Sequence, residues 1–459
     1  MEQCRKSLLR APVFITLLKV FLAPPLAGQT FTTLYHFTRG TDGANPYAGL
    51  ILSAGALYGT AYSGGSSGQG TVFKINTNGS GFATLHSFNG GSDGANPSAG
   101  LVLVTNALYG TTAHRASFNA GGVFKIGITG AGFTNLYSFT GGTGGANPLA
   151  GFILSDGTLY GTAYHSSPGQ GTVFALDTDG TDFTNLYNFA GAGDGANPQA
   201  TLVLSSNTLY GTARTAGLWS AGTVFAVNTD GTGFDTLYDF SGGDGANPTA
   251  GLILSGNTLF GTTQNGGNQG LGTIFSITAD GAYFNSIYSF TGVNDGANPS
   301  AGLIILGNTL YGTTEYGGGF GNGTIFAVNT DGTGFRTLHS FTATTGTFAV
   351  NNDGANPVAC LTLFGNVLYG TASVGGKYGN GTLFSLTVPL PPQLTIIASM
   401  PNVILTWPTN STGFSLQSTT NLVAPSVWAP VSTQPVIRNG NYSVTNSISG
   451  AQQFYRLLQ

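Results

Sequence analysis

Residues 42–88 read DGANPYAGLILSAGALYGTAYSGGSSGQGTVFKINTNGSGFATLHSF. Four short phrases punctuate this stretch: Asp42-Gly-Ala-Asn-Pro46, Leu57-Tyr-Gly-Thr60, Gly70-Thr-Val-Phe73 and Leu85-His-Ser-Phe88. Each phrase recurs seven times along the chain with small variations, and the order never changes. The copies of the first phrase begin at residues 42, 93, 144, 194, 244, 295 and 353. We number the repeats 1 to 7 from these positions.

The spacing of apolar residues within one repeat predicts four short β-strands. They cover residues 48–53, 56–62, 71–76 and 82–88, with apolar side chains on both faces, as in a sheet packed between two others. Dipeptides that tolerate a positive φ, such as Asn78-Gly79, separate the third strand from the fourth. The glycine of Leu-Tyr-Gly-Thr predicts a bulge or a close approach of the backbone.

Four strands in a unit of about 50 residues predict an all-β fold, a seven-bladed β-propeller. A parallel β-helix, whose coils are shorter, and an open stack of sheets, whose edges need polar caps, are the alternatives. The strand at 31–37 precedes the first repeat, whereas the last Gly-Thr-Leu-Phe384 has no fourth strand after it. We therefore expect residues 31–37 to pair with 382–388 and to close the ring, which would cover two strand edges.

The first 28 residues have the features of an export signal. A basic start (Arg5, Lys6 and Arg10) precedes a mostly apolar run that is shorter than the about 20 residues of a membrane span, with a retained anchor as the alternative. Without residues 1–28 the chain keeps 9 basic residues (13 minus 4) and 16 acidic ones (17 minus 1), which argues against a nucleic-acid partner. We expect a secreted or cell-surface protein with no membrane span in the mature chain; the sequence leaves its oligomeric state open.

The composition is unusual, with 74 glycines in 459 residues and only 7% charged residues. A globular domain is about a quarter charged, so small polar residues must form much of this surface. Cys360 is the only cysteine after the signal and replaces the glycine of an Ala-Gly-Leu segment, so we expect a buried and inert thiol.

After residue 388 the repeat phrases end. Pro389-Leu-Pro-Pro392 predicts a stiff linker, and short strand-like runs after it predict a small immunoglobulin-like or fibronectin-III-like β-sandwich with Trp407 and Trp428 in its core. The predicted organisation is a signal peptide at 1–28, a propeller at 29–388, a linker at 389–392 and a sandwich at 393–459.

The four phrases closely resemble the GloVer tandem repeat of exported bacterial proteins known as choice-of-anchor proteins. The resemblance covers roughly residues 31–387. It implies export, with a C-terminal anchor that differs between members. It supplies no catalytic residues, because no activity is assigned to the family.

Residues that carry acid–base or metal chemistry are few and scattered. Glu315 is the only glutamate after the signal, and most aspartates lie in repeated turns, where they hydrogen-bond local backbone. His86 and His339 replace the tyrosine of the strand phrase and His36 follows that tyrosine, and all three are interpreted as packing variants. We therefore expect no catalytic pair, no metal site and no cofactor. Asp177-Thr-Asp179-Gly180 resembles the start of a calcium loop but stands where a hairpin turn is needed, so calcium remains an alternative.

The segment between Leu-Tyr-Gly-Thr and Gly-Thr-Val-Phe differs in every repeat, and we call these segments the variable loops. In a propeller they emerge on one face, where function is usually located. Exposed aromatic side chains there suit sugar stacking or protein contact, with neutral drift as the alternative. The candidate ligand-binding residues are Trp219, Arg214, Arg115, His114, Tyr316, Phe320 and Tyr378. Trp219 is the best single anchor, unless it folds back over its own blade.

These observations favour an exported, non-enzymatic propeller that binds or organises a glycan or protein ligand at the cell surface. A polysaccharide lyase or hydrolase on the same scaffold and a purely structural surface protein are the alternatives. An aromatic patch would favour binding, and a cluster of aspartate, histidine or arginine side chains would favour an enzyme.

Overall fold

The computed structural model describes residues 29–388, 394–399, 402–409, 414–421, 427–447 and 453–458. These residues form 36 β-strands in nine antiparallel sheets and contain no helix. None of them therefore lies in a helix that could cross a membrane. The predicted signal peptide and the predicted linker fall outside the described residues.

Seven of the sheets are built from the repeats, and we number them after the repeat that supplies most of their strands. The strands of the first three are, for sheet 1, β2 (Ile51–Ser53), β3 (Ala56–Ala61), β4 (Thr71–Asn76) and β5 (Ala83–Ser87); for sheet 2, β6 (Val102–Val104), β7 (Ala107–Thr112), β8 (Gly122–Gly127) and β9 (Thr134–Ser138); and for sheet 3, β10 (Ile153–Ser155), β11 (Thr158–Ala163), β12 (Thr172–Asp177) and β13 (Thr184–Asn188).

Sheets 4 to 7 follow the same order, and sheet 4 has one additional strand. Their strands are, for sheet 4, β14 (Ala196–Pro198), β15 (Val203–Ser205), β16 (Thr208–Thr215), β17 (Thr223–Asn228) and β18 (Asp235–Asp239); for sheet 5, β19 (Ile253–Ser255), β20 (Thr258–Thr263), β21 (Thr273–Thr278) and β22 (Phe284–Ser289); for sheet 6, β23 (Ile304–Leu306), β24 (Thr309–Thr314), β25 (Thr324–Asn329) and β26 (Arg336–Ser340); and for sheet 7, β27 (Thr362–Phe364), β28 (Val367–Ala372), β29 (Thr382–Thr387) and β1 (Thr30–His36).

Sheet 7 joins the two ends of the repeat region. β1 runs antiparallel to β29, from the pair Thr30 and Thr387 to the pair His36 and Thr382. The predicted pairing of 31–37 with 382–388 is therefore confirmed. The edge strand that the last repeat lacks is supplied by the residues before the first repeat.

Apolar side chains fill the space between consecutive sheets in seven separate clusters. In the cluster between sheets 1 and 2, for example, Phe88, Leu108 and Phe124 are buried together. The cluster between sheets 7 and 1 contains Phe73 and Leu383. Each sheet thus buries both faces against its neighbours, which explains the apolar residues on both faces of the predicted strands.

A buried hydrogen bond accompanies every one of these contacts. The threonine hydroxyl of Leu-Tyr-Gly-Thr donates to the alanine carbonyl of Ala-Gly-Leu, or its variant, in the next repeat, at 3.0–3.4 Å. The seventh bond runs from Thr371 back to Ala48 of repeat 1. The donors are Thr60, Thr111, Thr162, Thr212, Thr262, Thr313 and Thr371.

The glycine of Leu-Tyr-Gly-Thr is required by close packing. A Cβ atom on Gly59 would lie 2.7 Å from Cζ of Phe73 and 2.8 Å from Leu50, well inside contact distance. The bulge lies elsewhere, in the fourth strand: Val72 of β4 pairs with His86 and Phe73 pairs with Thr84, so Leu85 of β5 is the extra residue.

The repeated aspartate and the strand phrase support each other. Asp42 accepts hydrogen bonds from the Tyr35 hydroxyl and from the backbone N–H and hydroxyl of Thr38, so the aspartates of this phrase are turn residues as predicted. In repeats where histidine replaces the tyrosine, His86 approaches Asp93 at 3.2 Å and His339 approaches Asp353 at 3.0 Å. The interpretation of these histidines as packing variants is confirmed, because each also stacks on a phenylalanine.

Two further sheets follow the repeats. Their strands are, in spatial order, β30 (Thr395–Ser399), β31 (Asn402–Pro408), β35 (Asn441–Ser447) and β34 (Val436–Arg438), and then β33 (Ala429–Pro430), β32 (Ser415–Thr419) and β36 (Phe454–Leu458). Leu405, Trp407, Leu416 and Val444 form their buried core. Trp428, predicted in the core, is only partly buried, and the Arg456 guanidinium lies over its ring at 4.3 Å.

The expectation of a buried Cys360 was wrong, because the residue is exposed. Its Sγ accepts a hydrogen bond from the Gly302 N–H at 3.1 Å, and its carbonyl lies beside Gly49. Water reaches the residue although protein atoms crowd around it on several sides. The same crowding desolvates the sulfur and raises the pKa of the thiol.

Candidate functional site: the face of the variable loops

The variable loops and the Asp-Gly-Ala-Asn-Pro turns lie side by side. Ala95 of one such turn exchanges backbone hydrogen bonds with His114 in the variable loop of repeat 2. The asparagine side chain of each turn donates to a carbonyl of the preceding repeat, as from Asn96 to Tyr62 at 3.0 Å. Each of these asparagines has a positive φ, which asparagine tolerates. The turns therefore fix where every variable loop begins.

We call the residue that receives this bond the loop-start position. It is the second residue after Leu-Tyr-Gly-Thr, and it differs between repeats although its backbone contact is the same. In repeats 1 to 7 it is occupied by Tyr62, Ala113, Tyr164, Arg214, Gln264, Glu315 and Ser373.

Large aromatic side chains are exposed in the variable loops of repeats 2, 4, 6 and 7. Trp219 is 66% exposed and Phe118 is 61% exposed. Tyr316, Phe320 and Tyr378 are also exposed. The exposure of Trp219 rules out the alternative in which it folds back over its own sheet.

Arg214 and Trp219 belong to one loop but have different neighbours. The Arg214 Nη1 approaches the Tyr164 hydroxyl at 3.5 Å, and its Nε is buried without a hydrogen-bond partner. Leu218, next to Trp219, is tied by its N–H to Asp239 in the outer strand β18. The described contacts thus place Arg214 beside the loop-start residue of repeat 3 and the Leu218 backbone beside the outer strand of its own sheet.

His114 and Arg115 form a second group, in repeat 2. The His114 ring approaches the Asn147 amide at 3.1 Å, and burial together with the Arg115 charge lowers the pKa of His114. The Arg115 side chain lies against Gly90 and Gln69. Both residues are exposed, so this group is a modest hydrogen-bonding surface.

The loops of repeats 6 and 7 form a third group around an insertion at residues 343–352. The Lys377 Nζ lies over the Tyr378 ring, 5.4 Å from its centre. The backbone of Phe348, an exposed residue of the insertion, is in contact with Gly379. Lys377 also lines a shallow groove of about 380 Å³ formed by the insertion.

The sequence interpretation missed the polar cluster around Glu315. The Glu315 carboxylate accepts a hydrogen bond from the Ser300 hydroxyl at 2.9 Å, and the Gln264 amide lies 3.5 Å away. These residues come from two repeats, and each is a single departure from the consensus. A comparison of the residue types at the loop-start position and after each proline, across all repeats, could have grouped these three residues.

The acidic side chains of the repeated turns hold the local backbone, as Asp42 does. Within the described ranges, contacts between a basic and an acidic side chain are confined to His86 with Asp93 and His339 with Asp353, which become ion pairs only when the histidine is protonated. No three metal-binding side chains converge in that part of the chain. The suggested calcium loop is a hairpin turn, because Asp179 accepts bonds from the backbone N–H and hydroxyl of Thr181.

The sheets and the surface formed by the variable loops together define the class of this protein. It is an all-β repeat protein with propeller-like sheets and a face made of variable loops. The chain belongs to the Gloeobacter/Verrucomicrobia repeat family, whose model matches residues 20–220 and 164–384. No curated protein matches its sequence.

Solved structures support the propeller-like arrangement. An oligogalacturonate lyase from Vibrio parahaemolyticus matches at 11% identity with a TM-score of 0.51, over 78% of this chain and 93% of the other. An oligogalacturonate lyase in complex with manganese gives 11% identity, the same coverage and a TM-score of 0.52. At these identities the likeness concerns the fold alone.

Proposed function

We propose that this protein is an exported seven-bladed β-propeller that binds a glycan or protein ligand on the face of its variable loops. The blades in this proposal are sheets 1 to 7. The closed ring is supported by the seven threonine-to-alanine hydrogen bonds, of which the last returns from Thr371 to Ala48. Pairing of β1 with β29 leaves the ring without a free edge at its junction.

The observation that carries the binding role is the contrast between the two kinds of loop. Turns that hold the sheets repeat almost unchanged, whereas the variable loops differ in every copy and expose Phe118, Trp219, Tyr316, Phe320 and Tyr378. Exposed aromatic side chains carry a large share of the binding energy at sugar-binding and protein-binding surfaces.

We prefer a binding role over lyase or hydrolase chemistry because the carboxylates beside a histidine are already hydrogen-bonded within the turns of the fold. A glycosidase or lyase needs an acid and a base placed across the substrate. The aspartates that lie beside a histidine, Asp93 and Asp353, also accept backbone N–H bonds of their own turns. Their hydrogen bonds are therefore used to hold the fold.

The two sheets after the repeats are proposed to form the small β-sandwich. Trp407 and Leu405 on β31 are buried against Leu416 on β32, which joins the two sheets through one core. A module of this kind spaces or attaches its neighbour.

A glycan array and a pull-down with the mature protein test the proposal. The informative variant replaces Phe118, Trp219 and Phe320 with serine together, and the control replaces Tyr283, an exposed tyrosine in the turn before β22. We expect a ligand that the wild type and the control retain and that the loop variant loses. Retention of every ligand by the loop variant would overturn the proposal.

A further inference from the structure

The variable loops share one backbone conformation although their side chains differ. The loops of all repeats except repeat 3 have the same length. We call the residue three positions before the glycine of Gly-Thr-Val-Phe the tip residue. In each of these loops the N–H after the tip donates to the carbonyl two residues before it, at 3.1–3.4 Å. The tip residues of repeats 1, 2, 4, 5, 6 and 7 are Ser67, Phe118, Trp219, Gln269, Phe320 and Tyr378.

Further contacts fix each tip against its own sheet. The glycine N–H of Gly-Thr-Val-Phe donates to the carbonyl three residues before the tip, at 2.9–3.1 Å in the same loops. The residue after the tip always has a φ between 59° and 81°. The N–H before the tip donates to a side chain that ends the outer strand, as from Leu218 to Asp239 and from Gly319 to Ser340, both at 2.8 Å. The tips are therefore equivalent positions on rigid turns.

Three of these tips present an isolated aromatic ring. Phe118, Trp219 and Phe320 are all exposed and belong to repeats 2, 4 and 6. The tips of repeats 1 and 5 are a serine and a glutamine. The residues on either side of the three rings are uncharged and, apart from Leu218, are glycine, serine or asparagine. Small neighbours leave the faces of the rings open to a ligand.

The fourth aromatic tip, Tyr378, is different. The Lys377 Nζ lies over its ring, 5.4 Å from the centre. The insertion of repeat 7 also places the Phe348 backbone against Gly379, the residue after this tip. One face of the Tyr378 ring is thus shared with a cation, and we do not count this tip with the other three.

We propose that the tips of repeats 2, 4 and 6 are three equivalent binding sites for sugar units of an uncharged polysaccharide. Each ring would pack on the apolar face of one sugar unit. The inference rests on the proposed function, since it names the class of ligand that the variable loops bind.

The repetition of the same ring on the same turn favours a polysaccharide over a protein. A ligand that matches three equivalent tips must itself present one group repeatedly, and a polymer of sugar units does so. A protein interface is instead built around a contiguous, densely packed apolar core. Here each ring is surrounded by small polar residues. The lack of charge beside Phe118, Trp219 and Phe320 favours uncharged sugars.

Affinity electrophoresis of the full mature chain tests the ligand class. The probes are soluble uncharged glucans, mannans, xylans, galactans and fructans, with polygalacturonate and chitosan as charged controls. We expect at least one uncharged polysaccharide to retard the protein more than either control. Retardation by none of them, or stronger retardation by a charged one, would overturn the inference. If the loop variant loses a protein ligand while no polysaccharide binds, the proposed function holds and the assignment to sugars fails.

Chain length tests whether several tips act together. The polysaccharide that binds should do so at least about tenfold more tightly per sugar unit than its own trisaccharide, because contact with a second tip is intramolecular. A variant that keeps only one aromatic tip should lose most of this advantage. Equal affinity of polymer and trisaccharide for the wild type would contradict a set of equivalent sites.

Substitutions can copy the natural tips of other repeats. Phe118→Ser gives repeat 2 the tip of repeat 1, and Trp219→Gln gives repeat 4 the tip of repeat 5, so both should fold, as thermal melting checks. Each should lower affinity for the polysaccharide at least about tenfold. Tyr378→Ser should lower it less than about threefold, and the control Tyr283→Ser should not change it. A loss from Tyr378→Ser as large as from Trp219→Gln would contradict the assignment to repeats 2, 4 and 6.

Discussion

Phe31 stacks on His339 with ring centres 3.8 Å apart and planes 7° from parallel. Phe31 belongs to β1, at the start of the described chain, and His339 belongs to β26 in sheet 6. The same phenylalanine contacts Phe341 and Phe384. One side chain therefore connects the beginning of the repeat region with its last two sheets.

Phe31→Ala should destabilise the protein by about 2 kcal/mol, less than a fully buried phenylalanine because Phe31 is only partly buried. Chemical denaturation measures this loss. Phe118→Ala, which removes an exposed phenylalanine, is the control and should change the free energy of unfolding by less than about 0.5 kcal/mol.

Deleting residues 29–38 should expose the edge of β29. Hydrogen exchange in residues 382–387 should then accelerate more than in the strands of sheet 3, which lies apart from the junction. Equal protection of 382–387 with and without the segment would show that β1 contributes nothing to closure.

Gly110→Ala should cost about 1–3 kcal/mol, because the new Cβ would lie 2.5 Å from Cζ of Phe124 and 2.8 Å from Leu101. Gly100→Ala is the matched control. Its Cβ would meet nothing closer than the Gly49 carbonyl oxygen at 3.5 Å, so its stability should be nearly unchanged. Similar melting temperatures for the two variants would contradict the packing account.

Trp219→Ala should lower affinity for a macromolecular ligand about thirtyfold, equivalent to about 2 kcal/mol, with little effect on melting. The reason is that the indole is exposed and supports no core. Affinity and melting temperature are measured on the same protein. An unchanged affinity for an identified ligand would remove Trp219 from the binding surface.

Acid should destabilise the fold from about pH 6.5 downward. Burial lowers the pKa of His86, as it does for His36 and His114, so the unfolded chain binds these protons at a higher pH than the folded one. The stability that these histidines contribute is fully present above their unfolded pKa of about 6.5. It is lost as the pH falls towards their lower folded pKa values. His86→Tyr, which restores the consensus, should flatten this decline in denaturation curves recorded between pH 7 and 5. An unchanged pH dependence would mean that His86 does not contribute to it.

A further loss is expected at lower pH from Asp353. Burial raises the pKa of this carboxyl, but hydrogen bonds from His339 and Thr342 outweigh burial and hold it below its ordinary value. The stability that Asp353 contributes is fully present above its unfolded pKa of about 3.9. It is lost as the pH falls through its lower folded pKa. Asp353→Asn should remove that second decline.

The repeated part of the fold could be predicted because each repeat carries its own packing and turn chemistry. The pairing of β1 with β29 followed from counting strands, and the roles of Asp42 and His86 followed from their place in a recurring phrase. The first strand of each repeat was predicted too long, since the predicted strand at 48–53 begins only at Ile51. Ala48 instead accepts the hydrogen bond from Thr371.

The Glu315 cluster could not be predicted from local sequence. Ser300 and Glu315 are 15 residues apart, and Gln264 lies in the preceding repeat. Only the arrangement of repeats in space brings these positions together. Trp428 was misjudged because a guanidinium group, rather than an apolar core, covers its ring.

The sharing of sheet 7 between both ends of the repeat region also governs the order of folding. During synthesis β1 emerges first, yet its partner β29 is made only after all the other strands of the ring. Sheets 1 to 6 can assemble from local hairpins, whereas sheet 7 requires a contact of very high sequence separation and a large loss of chain entropy. Until that contact forms, the nascent chain carries an unpaired strand at each end, and both are open to pairing with other chains. The pairing of β1 with β29 is therefore the step at which concentration decides between pairing within one chain and pairing between chains.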